Sequence, residues 1–204
     1  GWFGFNAGSA LAADGLAVHA LLTTNTAAAA AMLSWMLIEK IKIGKPTIVG
    51  ACTGGIAGLV AITPGAGFVS LWSSLIIGAL VSPFVYYFIS VLKRRLGLDD
   101  ALDAFGCHGI GGIFGGIMTG LFTTKELALE KGYYGLVYGD VKLLLAQLEA
   151  IVFTLIFASA ISFVIIKFVN LLLEIRVSKR AEAIGLDDTE HEETAYPTFM
   201  GLDS

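Results

Sequence analysis

Long apolar runs separated by short polar stretches divide this chain, and their lengths predict helices that cross a lipid bilayer. The opening stretch, GWFGFNAGSA, has mid-helix character and ends near Leu11. Complete runs follow from about Leu16 to Ile38, Ile48 to Ile62, Phe68 to Leu92, Ala101 to Phe122 and Val141 to Val177. The Ile48–Ile62 run is short, rich in glycine, and closed by Thr63-Pro64. The last run would reach ~55 Å at ~1.5 Å per residue, well past a hydrocarbon core of ~30 Å, so it must tilt, bend or project into water. The pattern predicts an all-α, polytopic bundle of five complete spans after a partial one. Because it opens on Gly1 in mid-helix character, with no signal peptide, the chain reads as the C-terminal portion of a longer polypeptide.

Composition agrees. The mean hydropathy of +0.79 is far above that of a soluble domain. The net charge of −4 resides outside the spans and gives no basic footprint for nucleic acid. Lys40, Lys42 and Lys45, then Lys93, Arg94 and Arg95, then Arg176, Lys179 and Arg180 follow alternate spans. By the positive-inside rule those ends face the cytoplasm. The expected layout is a membrane domain over residues 1–180 and an acidic, cytoplasmic C-terminal tail over residues 181–204. Cys52 and Cys107 each lie within an apolar run, and no CxxC or Cys/His spacing suggests a metal or cofactor. No nucleophile–base constellation suggests an enzyme.

The stretch DDALDAFGCHGIGGIFGGIMTG, Asp99 to Gly120, carries the candidate chemistry. His108 sits eight residues past Asp100 in an apolar run, ~12 Å along a helix that begins there, which is near mid-bilayer. An ionisable group at that depth is costly and normally faces a pore or a protein partner. Two readings stand: a packing histidine bonded to a carbonyl, or a pore-lining imidazole that guides a polar solute or passes a proton. Gly112, Gly116 and Gly120 form one stripe and His108, Gly111 and Gly115 a neighbouring one; with Gly54 and Gly58 they predict close helix packing. Asp99, Asp100 and Asp103 read as helix caps at the cytoplasmic end, with Asp100 and Asp103 also placed to hold the tail or the basic loop. Trp2, Phe3 and Phe5, with Asn6 and Ser9, are either an interfacial aromatic belt or an outer vestibule that receives a cation on aromatic faces. His19, near Asp14 at the outer end of its span, reads as water-facing. Glu149 and Gln147 read as helix-pairing groups.

Taken in order, GWFGFNAGSA, ACTGGIAGLVAITPGAG, LDDALDAFGCHGIGGIFGGIMTGLF, QLEAI and GLDDTEHEETAY resemble the ammonium transporter family (Amt/Mep/Rh), and the Amt/Mep branch more than the Rh branch. The resemblance covers essentially the whole chain. It implies the second inverted repeat of an eleven-helix fold, from late helix six through the long eleventh helix, in a homotrimer with one pore per subunit in the cell inner membrane. It further implies Phe5 as one of two stacked gate phenylalanines, Ser9 as the hydroxyl of an outer ammonium site and Trp2 as a pore-lining indole. His108 would be the second of two paired pore histidines. The partners of Phe5 and His108 belong to the N-terminal half, absent here. It implies a PII-type signalling protein at the cytoplasmic face and a tail that couples subunits, with Asp100, Asp103 and Tyr196 as the regulatory set, or an ammonium sensor acting through that tail. One departure stands out: Glu192 occupies a position where the family motif commonly has glycine, so a bend that glycine permits is expected to suffer.

Overall fold

In the computed structural model, which describes residues 1–128 and 132–193, the chain is helical and divides into two units, Gly1–Phe153 and Thr154–Ser204. Helix α1 covers Trp2–Gly8, α2 Gly15–Ile43, α3 Ile48–Ile62 and α4 Leu71–Tyr87. A π turn over Phe88–Leu92 carries α4 without a break into α5, Lys93–Leu96. A second π turn, Phe105–Ile110, opens into α6, Gly111–Phe122. Helix α7 spans Lys142–Leu172, and the short α8 and α9 cover Lys179–Ile184 and Leu186–Glu190. Four of these segments are long and apolar enough to cross a membrane: Gly15–Ile43, Leu71–Leu96, Phe105–Phe122 and Lys142–Leu172.

Capping chemistry sets most boundaries. Asp14, Thr47 and Ser70 each accept a backbone N–H from the first turn of α2, α3 and α4. Gly44 closes α2 in the left-handed conformation, at φ +86°. Helix α7 is shorter than the apolar run suggested: its 31 residues give about 46 Å, and the chain leaves the helix after Leu172.

Side-chain pairings fix the packing. Gly58 lies on Ala27 and Gly54 on Ala31 and Trp35, so α2 and α3 run antiparallel. Gly78 meets Ala27, and the Ser82 hydroxyl donates to the Ala31 carbonyl at 2.7 Å, so α4 runs parallel to α2. Gly111 meets Val60 and Gly115 meets Ala61, so α6 runs parallel to α3. A buried layer of Ala27, Ala31, Trp35, Ala57, Ala61, Ile77, Val81, Val85 and Phe114 lies between them. Pro83 lacks the N–H that would bond the Ala79 carbonyl, and Ser34 of α2 supplies the missing donor at 2.8 Å. Every buried polar side-chain atom among the described residues has a partner, as a chain in hydrocarbon requires.

The glycine stripes divide by role. A β-carbon at Gly115 would run into the Ala61 backbone, and one at Gly120 would fall 2.7 Å from Leu144 Cα, whereas one at Gly112 meets nothing within 4 Å. Gly115→Ala should therefore cost about 1–3 kcal/mol through overpacking, and Gly112→Ala almost nothing. Thermal unfolding in detergent reads the difference; equal melting temperatures for the two variants would contradict this packing.

Two sequence expectations change. His19 is half-buried, and its Nε2–H donates to the Val69 carbonyl at 2.8 Å, so it ties α2 to the α3–α4 connection instead of facing water. Glu192 takes the left-handed conformation itself, at φ +52°, so the bend persists without glycine, at the modest cost a side chain pays in that region. Thr194 and Tyr196 lie outside the described residues.

Candidate functional site

The site begins with the first turn of α1. The Trp2 indole N–H donates to Thr63 Oγ1 at 2.8 Å, and the Thr63 hydroxyl in turn donates to the Leu59 carbonyl at 2.7 Å. The C-terminal end of α3 thus fixes the plane of the indole. Asn6, buried one turn later, donates to Thr24 Oγ1 of α2 at 3.0 Å and secures the rest of α1. These anchors lie 61 and 18 residues away in sequence, so no local spacing announces them.

His108 lies on the fixed indole. The two rings are nearly parallel, 19° apart, with centroids at 5.9 Å. Phe5 meets the same indole edge-on, at 6.4 Å and 75°. Phe5 is 63% exposed and His108 is also exposed, so both reach an open face. Gly112, one turn beyond His108, leaves open space on that face. A pocket of about 290 Å³ is lined by Gly1, Trp2 and Phe5. Ser9, one turn past Phe5, donates its hydroxyl to the Phe5 carbonyl at 2.7 Å. Its hydrogen is committed, and its oxygen keeps lone pairs to accept from a ligand. The structure therefore groups Trp2, Phe5 and His108 directly and brings Ser9 beside them through the backbone of Phe5. His108 thus meets Trp2 through its ring, a contact that neither reading of the histidine named.

The depth of His108 along its helix is smaller than the spacing implied. The helix begins at Phe105, not Ala101, so His108 lies in its first turn. The preceding residues form a turn in which Asp103 N–H donates to the Asp100 carbonyl at 3.1 Å and Asp103 holds φ +55°. The Asp100 carboxylate caps the new helix start, accepting Ala104 N–H at 2.8 Å, Phe105 N–H at 3.0 Å and Gly106 N–H at 3.3 Å. Asp103 forms an ion pair with Lys93, the first residue of α5. The sequence marks Lys93 only as one of a basic run that sets orientation and that Asp100 and Asp103 are placed to hold; it does not single out Lys93 as the residue that pairs.

A second carboxylate went unnoticed in the sequence. Glu39 of α2 is buried, and accepts the Thr47 N–H at 2.6 Å, the Thr47 hydroxyl at 3.1 Å and the Trp35 indole N–H at 3.3 Å. It sits over Gly50 at the N-terminus of α3. Among the described residues no His, Cys, Asp and Glu cluster could hold a metal ion.

The family model described as Ammonium Transporter Family matches residues 1–196. The ammonium transporter of Bacillus subtilis is 52% identical over 98% of this chain and 49% of its own length. The crystal structure of Saccharomyces cerevisiae Mep2 superposes with a TM-score of 0.82 at 34% identity, over 88% of this chain and 41% of that one. A solved structure described as Sensor Amt Protein superposes with a TM-score of 0.80 at 26% identity, over 93% of this chain and 45% of that one. The chain spans about half the length of the curated relatives it matches.

Proposed function

Because this chain belongs to the ammonium transporter family, we propose that its Trp2–His108 stack lines the conduction path of a transmembrane ammonium transporter. The observation that carries this reading is the indole plane, fixed by Thr63, with the imidazole parallel to it and Phe5 at its edge. In inverted-repeat transporters the path runs between the two halves, which explains why these groups sit on an open face here.

The chemistry follows from the cost of charge. Ammonium arriving from outside donates a hydrogen bond to Ser9 and meets the faces of aromatic rings, which attract a cation as it loses water. The route past Phe5 is apolar, and an intact ion is expensive there. Releasing a proton to water at the outer mouth, before the apolar step, removes that cost. Neutral ammonia then passes along His108, whose imidazole both donates and accepts hydrogen bonds. Potassium has no proton to release and no hydrogen bond to donate, so it stops at the apolar step.

Residues 1–180 form the membrane domain in this proposal, in a cell inner-membrane homotrimer, with residues 181–204 as a cytoplasmic tail. The orientation rests on the alternation of Lys and Arg. Asp100, Asp103 and Tyr196 would mark the cytoplasmic face where the tail and a PII-type protein act. The likeness to the structure described as Sensor Amt Protein favours a second reading, an ammonium sensor that signals through this tail. Ammonium flux into liposomes carrying the full-length protein tests both. Saturable flux absent from protein-free vesicles supports transport; no flux, with ammonium still changing the tail's protease sensitivity, supports the sensor.

A further inference from the structure

The start of the His108 helix is held by a device that the pore reading does not use. Two π turns pack against each other there, one in the α4–α5 segment and one carrying His108. Phe88 of the first lies on Phe105 of the second, ring centroids 5.6 Å apart. Gly106 lets Ile89 approach, for a β-carbon there would fall 2.7 Å from Ile89 Cγ1. Beyond this contact the Lys93 ammonium donates to the Asp100 carbonyl at 2.9 Å and to the Asp103 carboxylate. One cation thus bridges both ends of the turn that launches the helix, and it does so at Asp103, a non-glycine residue held at φ +55°. Backbone in that region persists where its surroundings over-determine it.

The register of a π turn decides where the next side chains point. Slippage by one residue rotates everything after it by about 100° about the helix axis. His108 sits inside the turn, and its ring partner among the described residues is Trp2, on a different helix. Rotation on that scale would carry the imidazole off the indole face.

Resting on the pore reading above, we propose that Lys93 is a positioning residue: by gripping the Asp100 carbonyl and the Asp103 carboxylate it holds the π turn that keeps His108 against Trp2. The competing outcome is an ordinary partly buried ion pair that contributes little beyond its own hydrogen bonds.

The test uses the full-length transporter and measures ammonium-over-potassium preference as the ratio of ammonium to potassium uptake into liposomes. Lys93→Met should lower that preference roughly tenfold, no more than removing the imidazole itself, each tenfold being about 1.4 kcal/mol. Lys93→Arg, which keeps the charge, should restore most of it. In a His108→Ala background, Lys93→Met should change the preference no further, because the group it positions is gone. A Lys93→Met effect of equal size in both backgrounds, loss of all flux in both, or an unchanged preference overturns the proposal while leaving the pore reading in place. If His108→Ala alone leaves the preference unchanged, the pore reading fails and this proposal with it. Should Lys93→Met not accumulate, Asp103→Asn removes the same charge pair with little change of shape; failure of both to accumulate assigns the pair to folding and overturns the proposal.

Discussion

His108→Ala in the full-length protein is expected to reduce ammonium-over-potassium preference by about ten- to a hundredfold. The imidazole is the polar group stacked on the fixed indole, and its loss takes away a donor and an acceptor from the open face between Phe5 and Gly112. A small hydrogen-bonding solute on an apolar path then goes unpaired, at a penalty of about 1–3 kcal/mol, and each ~1.4 kcal/mol is a factor of ten. The cavity left behind also admits water, which favours any hydrated cation over ammonia. Liposome uptake assays with the two cations at equal concentration measure the change. A preference equal to that of the unaltered protein would remove His108 from the path, and Trp2 would then be an interfacial aromatic with a packing neighbour.

That expectation was legible before any coordinates, because an ionisable residue within a glycine-dense apolar run stands out and because the ordered motifs resemble one family. Four of the five complete spans were legible for the same reason, since length and hydropathy need no tertiary information; the fifth, Ile48–Ile62, is apolar but only 15 residues long. What escaped the sequence depends on partners far along the chain. Thr63 holds Trp2 across 61 residues, and His19 finds Val69 across 50, so a histidine whose local sequence points to water instead donates to a distant carbonyl. The helix start was misplaced because three aspartates compete as caps. Local spacing starts the helix beside Asp100, at Ala101, whereas the turn closed by Lys93 lets Asp100 cap from further back and moves the start to Phe105. The π turns have no composition of their own. They arise where Phe88, Ile89, Phe105 and Gly106 fit together, which is a property of two segments and not of either alone.

Glu39 shows the same limit and supports the largest stability effect. Near the polar end of α2 and beside Lys40 it looks like a solvated charge, yet it is 7% exposed and takes three hydrogen bonds from Thr47 and Trp35. Two physical effects hold it: the positive end of the α3 dipole, and Gly50, whose missing side chain makes the space the carboxylate fills. Glu39→Ala leaves the Thr47 and Trp35 N–H groups unpaired over a cavity, and should cost about 3–5 kcal/mol. Gly50→Ala attacks the same place from the other side, since its β-carbon would overlap the carboxylate. The two changes should not add. With the carboxylate gone, the methyl at position 50 occupies vacated space, so Glu39→Ala/Gly50→Ala should be less destabilised than the sum of the singles by about 1 kcal/mol or more. Thermal unfolding of the four proteins in one detergent measures this coupling. Strict additivity would mean that Glu39 is held by something other than the α3 N-terminus, and a mild Glu39→Ala phenotype would mean that water reaches the site and replaces the lost acceptor.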